Sequence, residues 1–293
     1  MKNYIALLSM ILAFTSCDIE EGMYNENYDS YINPDKKVLI EDYTGHTCPN
    51  CPAAARELKA IHDIYGDQII GMAVHVSKSF ARPLDVSHAP EYQYDFRTNW
   101  GDSWNSFFEI SIAGLPRGMI NRIGYQDNSH KLGKDEWASS VANELKKEID
   151  FKISISSNPV DSTISIVTVV QNNINSEYNL VVCLTESNII NWQKDGQYNV
   201  EDYEHNHVLR TVLLDAPLSN STSYIAGQQI EKTINYDLTS LEQSNIDYSA
   251  NTAEMGNGNA GDWVKENMNV ITYIYNTNNY EIQQVEEVHL ITQ

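Results

Sequence analysis

Val38-Leu39-Ile40-Glu41-Asp42-Tyr43-Thr44-Gly45-His46-Thr47-Cys48-Pro49-Asn50-Cys51-Pro52 is the stretch on which the fold turns. Its first six residues read as a strand and Thr44-Gly45-His46-Thr47 as a turn. A helix follows from about Pro49 to Tyr65, with Leu58, Ile61 and Ile64 or Tyr65 on one face. Gly66 stops that helix, and Gln68 to Val76 is a near-continuous apolar run, as a strand buried on both faces requires. Strand, helix and strand at this spacing make one βαβ unit, which implies a parallel pair and a right-handed crossover. The Cys-x-x-Cys pair therefore sits at a strand-to-helix turn. Unpaired N–H groups and the helix dipole stabilise a thiolate there, so Cys48 reads as the exposed nucleophile. Cys51, one turn in, reads as the residue that resolves a mixed disulfide, and Pro49 suits the first helical turn.

This segment resembles the site of thioredoxin-fold proteins. In that family a buried acid precedes the first cysteine by six positions, the place held by Asp42, and a cis-proline faces the dithiol, a context matched by Gly114-Leu115-Pro116. The resemblance implies that Asp42 assists proton transfer from Cys51 and that Pro116 presents the backbone of an extended substrate strand. There are departures. Pro52 stands where Lys is common, Thr47 replaces a Trp, and His46 lies two residues ahead of Cys48. A protonated His46 lowers the thiol pKa further, while a neutral one is a capping or surface residue. The chemistry needs no metal or organic cofactor beyond a Cys48–Cys51 disulfide. Three other readings of the pair stay open. It is a structural disulfide, whose short loop contributes little closure entropy; a zinc half-site, for which a second Cys-x-x-Cys is missing; or an inherited feature of a binding module.

The N-terminus differs from everything after it. Lys2 supplies a positive region, Ile5 to Phe14 a short apolar run, and Thr15-Ser16-Cys17 small residues ahead of a cysteine. The run is too short to span a bilayer, so residues 1–17 read as a cleaved lipoprotein signal with Cys17 as the acylated residue. Asp18, Glu20 and Glu21 follow, and residues 18–36 read as an acidic, flexible tether. An acidic stretch directly after the lipidated cysteine resembles the signal for display on the outer face of the outer membrane in Bacteroidetes.

Residues 77–101 read as an irregular, aromatic-rich insertion in a domain covering 37–150. A helix near Ser103 to Glu109, a strand from Arg117 to Ile123 and an amphipathic helix from Lys134 to Ile149 complete that domain. After Asp150 the texture becomes alternating strands, about seven by pattern, which gives residues 151–293 the look of an immunoglobulin-like β-sandwich. The expected fold is thus a thioredoxin-like α/β domain followed by an all-β one. Cys183, in Leu180 to Leu184, reads as a core cysteine. His205 and His207 could aim two imidazoles at a metal, but no third ligand accompanies them.

A net charge of −21 over 293 residues repels nucleic acid and argues for a solvent-facing body. The signal, the dithiol segment, Gly114-Leu115-Pro116 with Asn121-Arg122, and Tyr203 to Arg210 occur together in this order. The combination resembles the 28-kilodalton outer-membrane lipoprotein family of Bacteroidetes over nearly all of the chain from Val38. That resemblance implies a lipid anchor in the outer membrane and exposure at the cell surface. Two functions follow. One is thiol–disulfide exchange on extracytoplasmic proteins or peptides. The alternative is a surface adhesin-like protein that binds a host protein or glycan, with Trp100, Trp104, Tyr92 and Tyr94 as its platform.

Overall fold

Every residue of the first strand, β1 (Val38–Thr44), is buried, and the rest of the molecule is arranged around it. The structure is a computed structural model that describes residues 31–291. The expected signal peptide, Cys17 and the acidic residues after it lie outside the described residues. The chain continues through α1 (Cys51–Tyr65), β2 (Ile69–His75), α2 (Asn99–Phe108), β3 (Arg117–Ile120) and α3 (Lys134–Glu144). Then come β4 (Phe151–Asn158), β5 (Thr163–Val170), β6 (Ile174–Asn175), β7 (Tyr178–Glu186), β8 (Ile189–Asp195), β9 (Tyr198–His205) and β10 (Val208–Pro217). The last elements are β11 (Ser223–Tyr224), β12 (Gln229–Asn235), α4 (Leu238–Asn251), β13 (Met268–Asn276) and β14 (Ile282–His289).

The expected βαβ unit is present: β1 and β2 run parallel, with Val38 opposite Ile69 and Thr44 opposite His75. β3 pairs antiparallel with the other side of β1. These three are one end of a seven-stranded mixed sheet in the order β14-β13-β7-β10-β2-β1-β3. Strands from both sides of residue 150 therefore share one sheet, and residues Ile32–Gln293 form one compact unit. The join is β10, which pairs with β2 at Val208 and Ala73 and with β7 along its length. A second sheet, β12-β5-β4, and two small hairpins, β11-β6 and β8-β9, complete the strands.

Side-chain alternation sorts the core onto the two faces of the large sheet. On one face, Leu39, Tyr43, Ile70, Met72, Val181, Cys183, Ile271 and Tyr273 pack beneath Trp104 and Phe108 of α2. On the other, Val38, Ile40 and Ile69 pack against Ala54 and Ile61 of α1, Trp137 and Val141 of α3, and Leu145 just after it. Towards β13 that second face meets the three-stranded sheet instead, with Leu180, Val182 and Val270 against Phe151, Ile153 and Ile164. Buried charges are paired across elements: Arg122 donates to both Glu41 oxygens at 2.8 Å and to the Tyr273 hydroxyl at 2.8 Å.

Several boundaries differ from expectation for local reasons. α2 begins at Asn99 rather than Ser103, because the Thr98 hydroxyl accepts from Gly101 N–H and caps it. α3 stops at Glu144, short of Ile149. A turn at Gly227, where φ is +85°, separates β11 from β12. The end of the expected tether belongs to the body: Asn33 and Lys36 are buried, and Asn33 N–H donates to the Leu145 carbonyl at 2.8 Å.

Candidate functional site

Cys48 and Cys51 form a disulfide across the β1-to-α1 turn, with Cα atoms 5.5 Å apart. Each is only 1 % exposed, so the expected exposed nucleophile lies under cover. Two segments provide it. The chain after β2 crosses the turn so closely that a Cβ on Gly45 would lie 2.4 Å from the Phe80 carbonyl oxygen. Thr47 N–H donates to that same oxygen at 3.0 Å. From the other side comes the β8–β9 hairpin, whose Lys194 N–H donates to the His46 carbonyl and Gly196 N–H to the Pro49 carbonyl, both at 2.8 Å. The buried Gln193 amide reaches the Cys48 carbonyl at 3.3 Å, and Arg56 of α1 pairs with Asp195 at 2.9 Å. The backbone of the dithiol loop is thereby satisfied by the chain itself.

Below the disulfide lies a cavity of about 410 Å³ bordered by α1, β1, β2 and the β9–β10 connection. Cys51 borders it; Cys48 does not. So does Asp42, whose Oδ1 has no hydrogen-bond partner and whose pKa burial pushes up to about 7. A carboxyl that exchanges its proton near neutrality thus belongs to the wall of the cavity that Cys51 also borders.

His75, His205 and His207 border the same cavity. Both ring nitrogens of His75, Nε2 of His205 and Nδ1 of His207 lack partners. His75 and His205 both pack on Phe96 with centroids 4.6 Å away. Burial holds the His75 pKa well below the usual histidine range and lowers His205 to about 3. Both imidazoles are neutral at pH 7 and each offers one donor and one acceptor. Among the described residues no cluster of three His, Cys, Asp or Glu is placed to hold a metal ion.

The other expected residues fall as follows. His46 is buried, donates from Nε2 to the Arg82 carbonyl at 3.0 Å, and is held at a pKa of about 4 mainly by burial. It is therefore neutral, and supplies no positive charge to the sulfurs. Pro116 follows a cis Leu115–Pro116 peptide. Tyr43 pairs with Arg117, so Pro116 stands level with Thr44, at the end of the strand that enters the dithiol loop. Cys183 is fully buried, and burial pushes its thiol pKa up. Tyr92, Tyr94 and Trp104 are buried and Trp100 is half-buried, so they are no exposed platform: Trp100 and Trp104 pack in the core of the large sheet and Tyr94, with Phe96, against Val208. Sequence reasoning missed Gln193, Tyr203 and the hairpin that carries them. The one signal for it was Gly196, first of the two loop residues between the paired Asp195 and Tyr198, with φ +60°.

The outer membrane protein Omp28 family model matches residues 104–293. The matched region begins after the dithiol and takes in the β8–β9 hairpin and everything beyond. No curated protein matches the chain. Among solved structures the chain is similar to HBP35 of Porphyromonas gingivalis, with TM-score 0.55, 14 % identity, and coverage of 87 % of this chain and 76 % of that one. It is also similar to a protein of Agrobacterium tumefaciens, with TM-score 0.50, 12 % identity, and coverage of 88 % and 96 % respectively. At these identities the likeness is one of fold.

Proposed function

The chain belongs to the outer membrane protein Omp28 family, and on that premise we propose that it is a lipid-anchored envelope protein whose Cys48–Cys51 pair carries out thiol–disulfide exchange on extracytoplasmic substrates. The anchor is Cys17, and the exchange takes place in a thioredoxin-like part of the fold spanning residues 37–150. One observation carries the reading: Cys51 and Asp42, whose buried carboxyl has an unpartnered oxygen, border one cavity. A disulfide that serves only to staple a turn has no use for a costly buried acid beside it.

The chemistry runs on the chain's own groups. An attacking thiolate forms a mixed disulfide with one sulfur and releases the other as a thiolate. When Cys51 is the thiolate, Asp42 is the acid that protonates it; in the reverse direction Asp42 takes that proton. Cys48 lies at the N-terminal side of α1, where the helix dipole favours its thiolate. Neutral His46 takes no part in proton transfer. Pro116, beside the end of β1, flanks the loop where an extended chain would dock once the β8–β9 hairpin withdraws.

A second reading has an observation in its favour. Both cysteines are 1 % exposed beneath the hairpin, as in a structural bond within a binding protein. Alkylation of the reduced protein by iodoacetamide across pH separates the two. The exchange reading predicts a thiolate pKa for Cys48 of about 7.5 or less; a value near the free-cysteine 8.5 or above would favour the structural bond.

A further inference from the structure

We propose that the β8–β9 hairpin is an acid-released latch: on mild acidification, protonation of the His75–His205 pair at its root frees it from the dithiol loop and uncovers the Cys48–Cys51 bond. The inference concerns access to the bond, and it rests on the exchange reading above only for the use that access serves.

The latch is fastened by rings as well as by hydrogen bonds. His205, the last residue of β9, packs on Phe96 with centroids 4.6 Å apart and lies 5.7 Å from the ring of His75, the last residue of β2. Phe96 stacks on His75 at 4.6 Å and meets the His46 ring at 5.9 Å. Tyr92 extends the contact outward, packing on His46 at 5.6 Å and on Trp192 of β8 at 5.9 Å. Its hydroxyl donates to the Asn199 side chain of β9 at 2.8 Å. Three buried imidazoles, from the dithiol turn, the large sheet and the hairpin, thus meet where the cover joins the body.

An imidazolium needs an acceptor or water for each N–H. Both ring nitrogens of His75 and Nε2 of His205 have neither, being unpartnered and closed to solvent. The charges that face the pair make the cost higher: Arg210 and His46 act on both rings, and His205 acts on His75. Asp95, which faces His46, is bound through both oxygens to Arg97. Glu186 gives one oxygen to Arg210 and the other to the Val264 N–H. The Asp42 carboxyl, with its pKa near 7, becomes neutral over the same range and supplies no counter-charge. His46 keeps its bond to the Arg82 carbonyl, so the pair of His75 and His205 is the trigger.

A proton on that pair is accommodated only by bringing a ring to water, and the hairpin is the cover that yields. It is a separate two-stranded sheet, marginal by itself, whereas β7 is paired on both sides within the seven-stranded sheet. Its Lys194 and Gly196 amides bond the His46 and Pro49 carbonyls, so moving the hairpin removes the cover of the disulfide. The sign is fixed by linkage. The open state binds a proton with an ordinary histidine pKa that the closed state refuses, so opening gains about tenfold per pH unit and per histidine below about pH 6.5.

The test uses the oxidised full chain and tris(2-carboxyethyl)phosphine as reductant. A disulfide-closed peptide of residues 44–55 serves as reference for the reductant's own pH dependence. The ratio of protein to peptide reduction rates is expected to rise about thirtyfold or more between pH 7.5 and 5.0, the value for one freed histidine. Hydrogen-exchange protection of the β7 amides is expected to persist over that range. In the His75→Gln/His205→Gln double variant the rise is expected to shrink to threefold or less. Should that variant fail to fold, hydrogen exchange of the wild type decides: the Lys194 and Gly196 amides are expected to lose protection by the same factor as the rate ratio rises. A ratio flat with pH, a full rise in the folded double variant, or equal loss of protection in β7 overturns the latch and leaves the exchange reading intact. A bond that acid uncovers but that exchanges with no peptide thiol at any pH keeps the latch and overturns the exchange reading.

Discussion

Asp42 sits among buried groups with one carboxylate oxygen unpartnered, and that single fact has a measurable consequence. Its folded pKa is raised to about 7 by burial, above the ordinary carboxyl value. The native state therefore holds a proton that the unfolded chain has already lost at mildly acid pH. Stability from this group is full below the unfolded pKa, near 3.9, and is lost as pH rises through about 7. Asp42→Asn removes the titration while keeping the shape. Its stability relative to wild type, measured by urea unfolding, is expected to rise between pH 4 and pH 8 by roughly 2–4 kcal/mol, each pKa unit being about 1.36 kcal/mol. A difference flat with pH would place the carboxyl in contact with water. Asp42 was also the most legible member of the site, because a spacing of six residues before Cys48 marks it in sequence. The neutrality of His46 was not legible, since it follows from Tyr92, Phe96 and the Arg82 carbonyl, which the fold brings from 36 to 50 residues away.

At the scale of elements, the β8–β9 hairpin decides what reaches the dithiol loop. It forms its own two-stranded sheet and is held to the loop by two backbone hydrogen bonds, the Gln193 amide and one exposed ion pair. An isolated hairpin of this kind is marginal in water, so it is the element most able to open locally. Gly196→Val forces a β-branched residue into φ +60° and weakens the turn by about 1–2 kcal/mol. Reduction of the disulfide by a macromolecular dithiol is expected to accelerate about tenfold, and the Lys194 and Gly196 amides to exchange hydrogen faster by a similar factor. Unchanged rates would mean that the hairpin does not guard the pair. The β1-α1-β2 unit was legible because β1 opens on Val38-Leu39-Ile40, β2 is a near-continuous apolar run, and Gly45 and Gly66 punctuate the helix between them. The hairpin was not, because most of β9 is exposed and carries no apolar alternation. Nor was α4, whose start is marked only by Asp237 accepting from the Thr239 and Ser240 amides.

The whole molecule shows why reading the chain as two successive folds captured its composition better than its architecture. Strand patterns report which residues alternate, but they do not report partners. The pairing of β10 with β2, more than a hundred residues earlier, and with its near neighbour β7 joins the two halves into one sheet. That union also buries His46, His75 and His205 as neutral imidazoles between the halves. Their folded pKa values are depressed, so the unfolded chain binds protons that the native one refuses. Stability from these groups is present above about pH 6.5 and is lost as pH falls, towards about 4 for His46 and about 3 for His205. The fold is expected to unfold cooperatively on acidification, and His75→Gln to flatten the dependence in urea titrations between pH 6.5 and 4. The most direct measurement of the central claim is the reduction potential of Cys48–Cys51, obtained by equilibrating the full chain in defined thiol–disulfide buffers. An exchange site predicts a potential above about −300 mV, within the span of known redox-active pairs, whereas a value below about −300 mV would contradict it and make the bond structural.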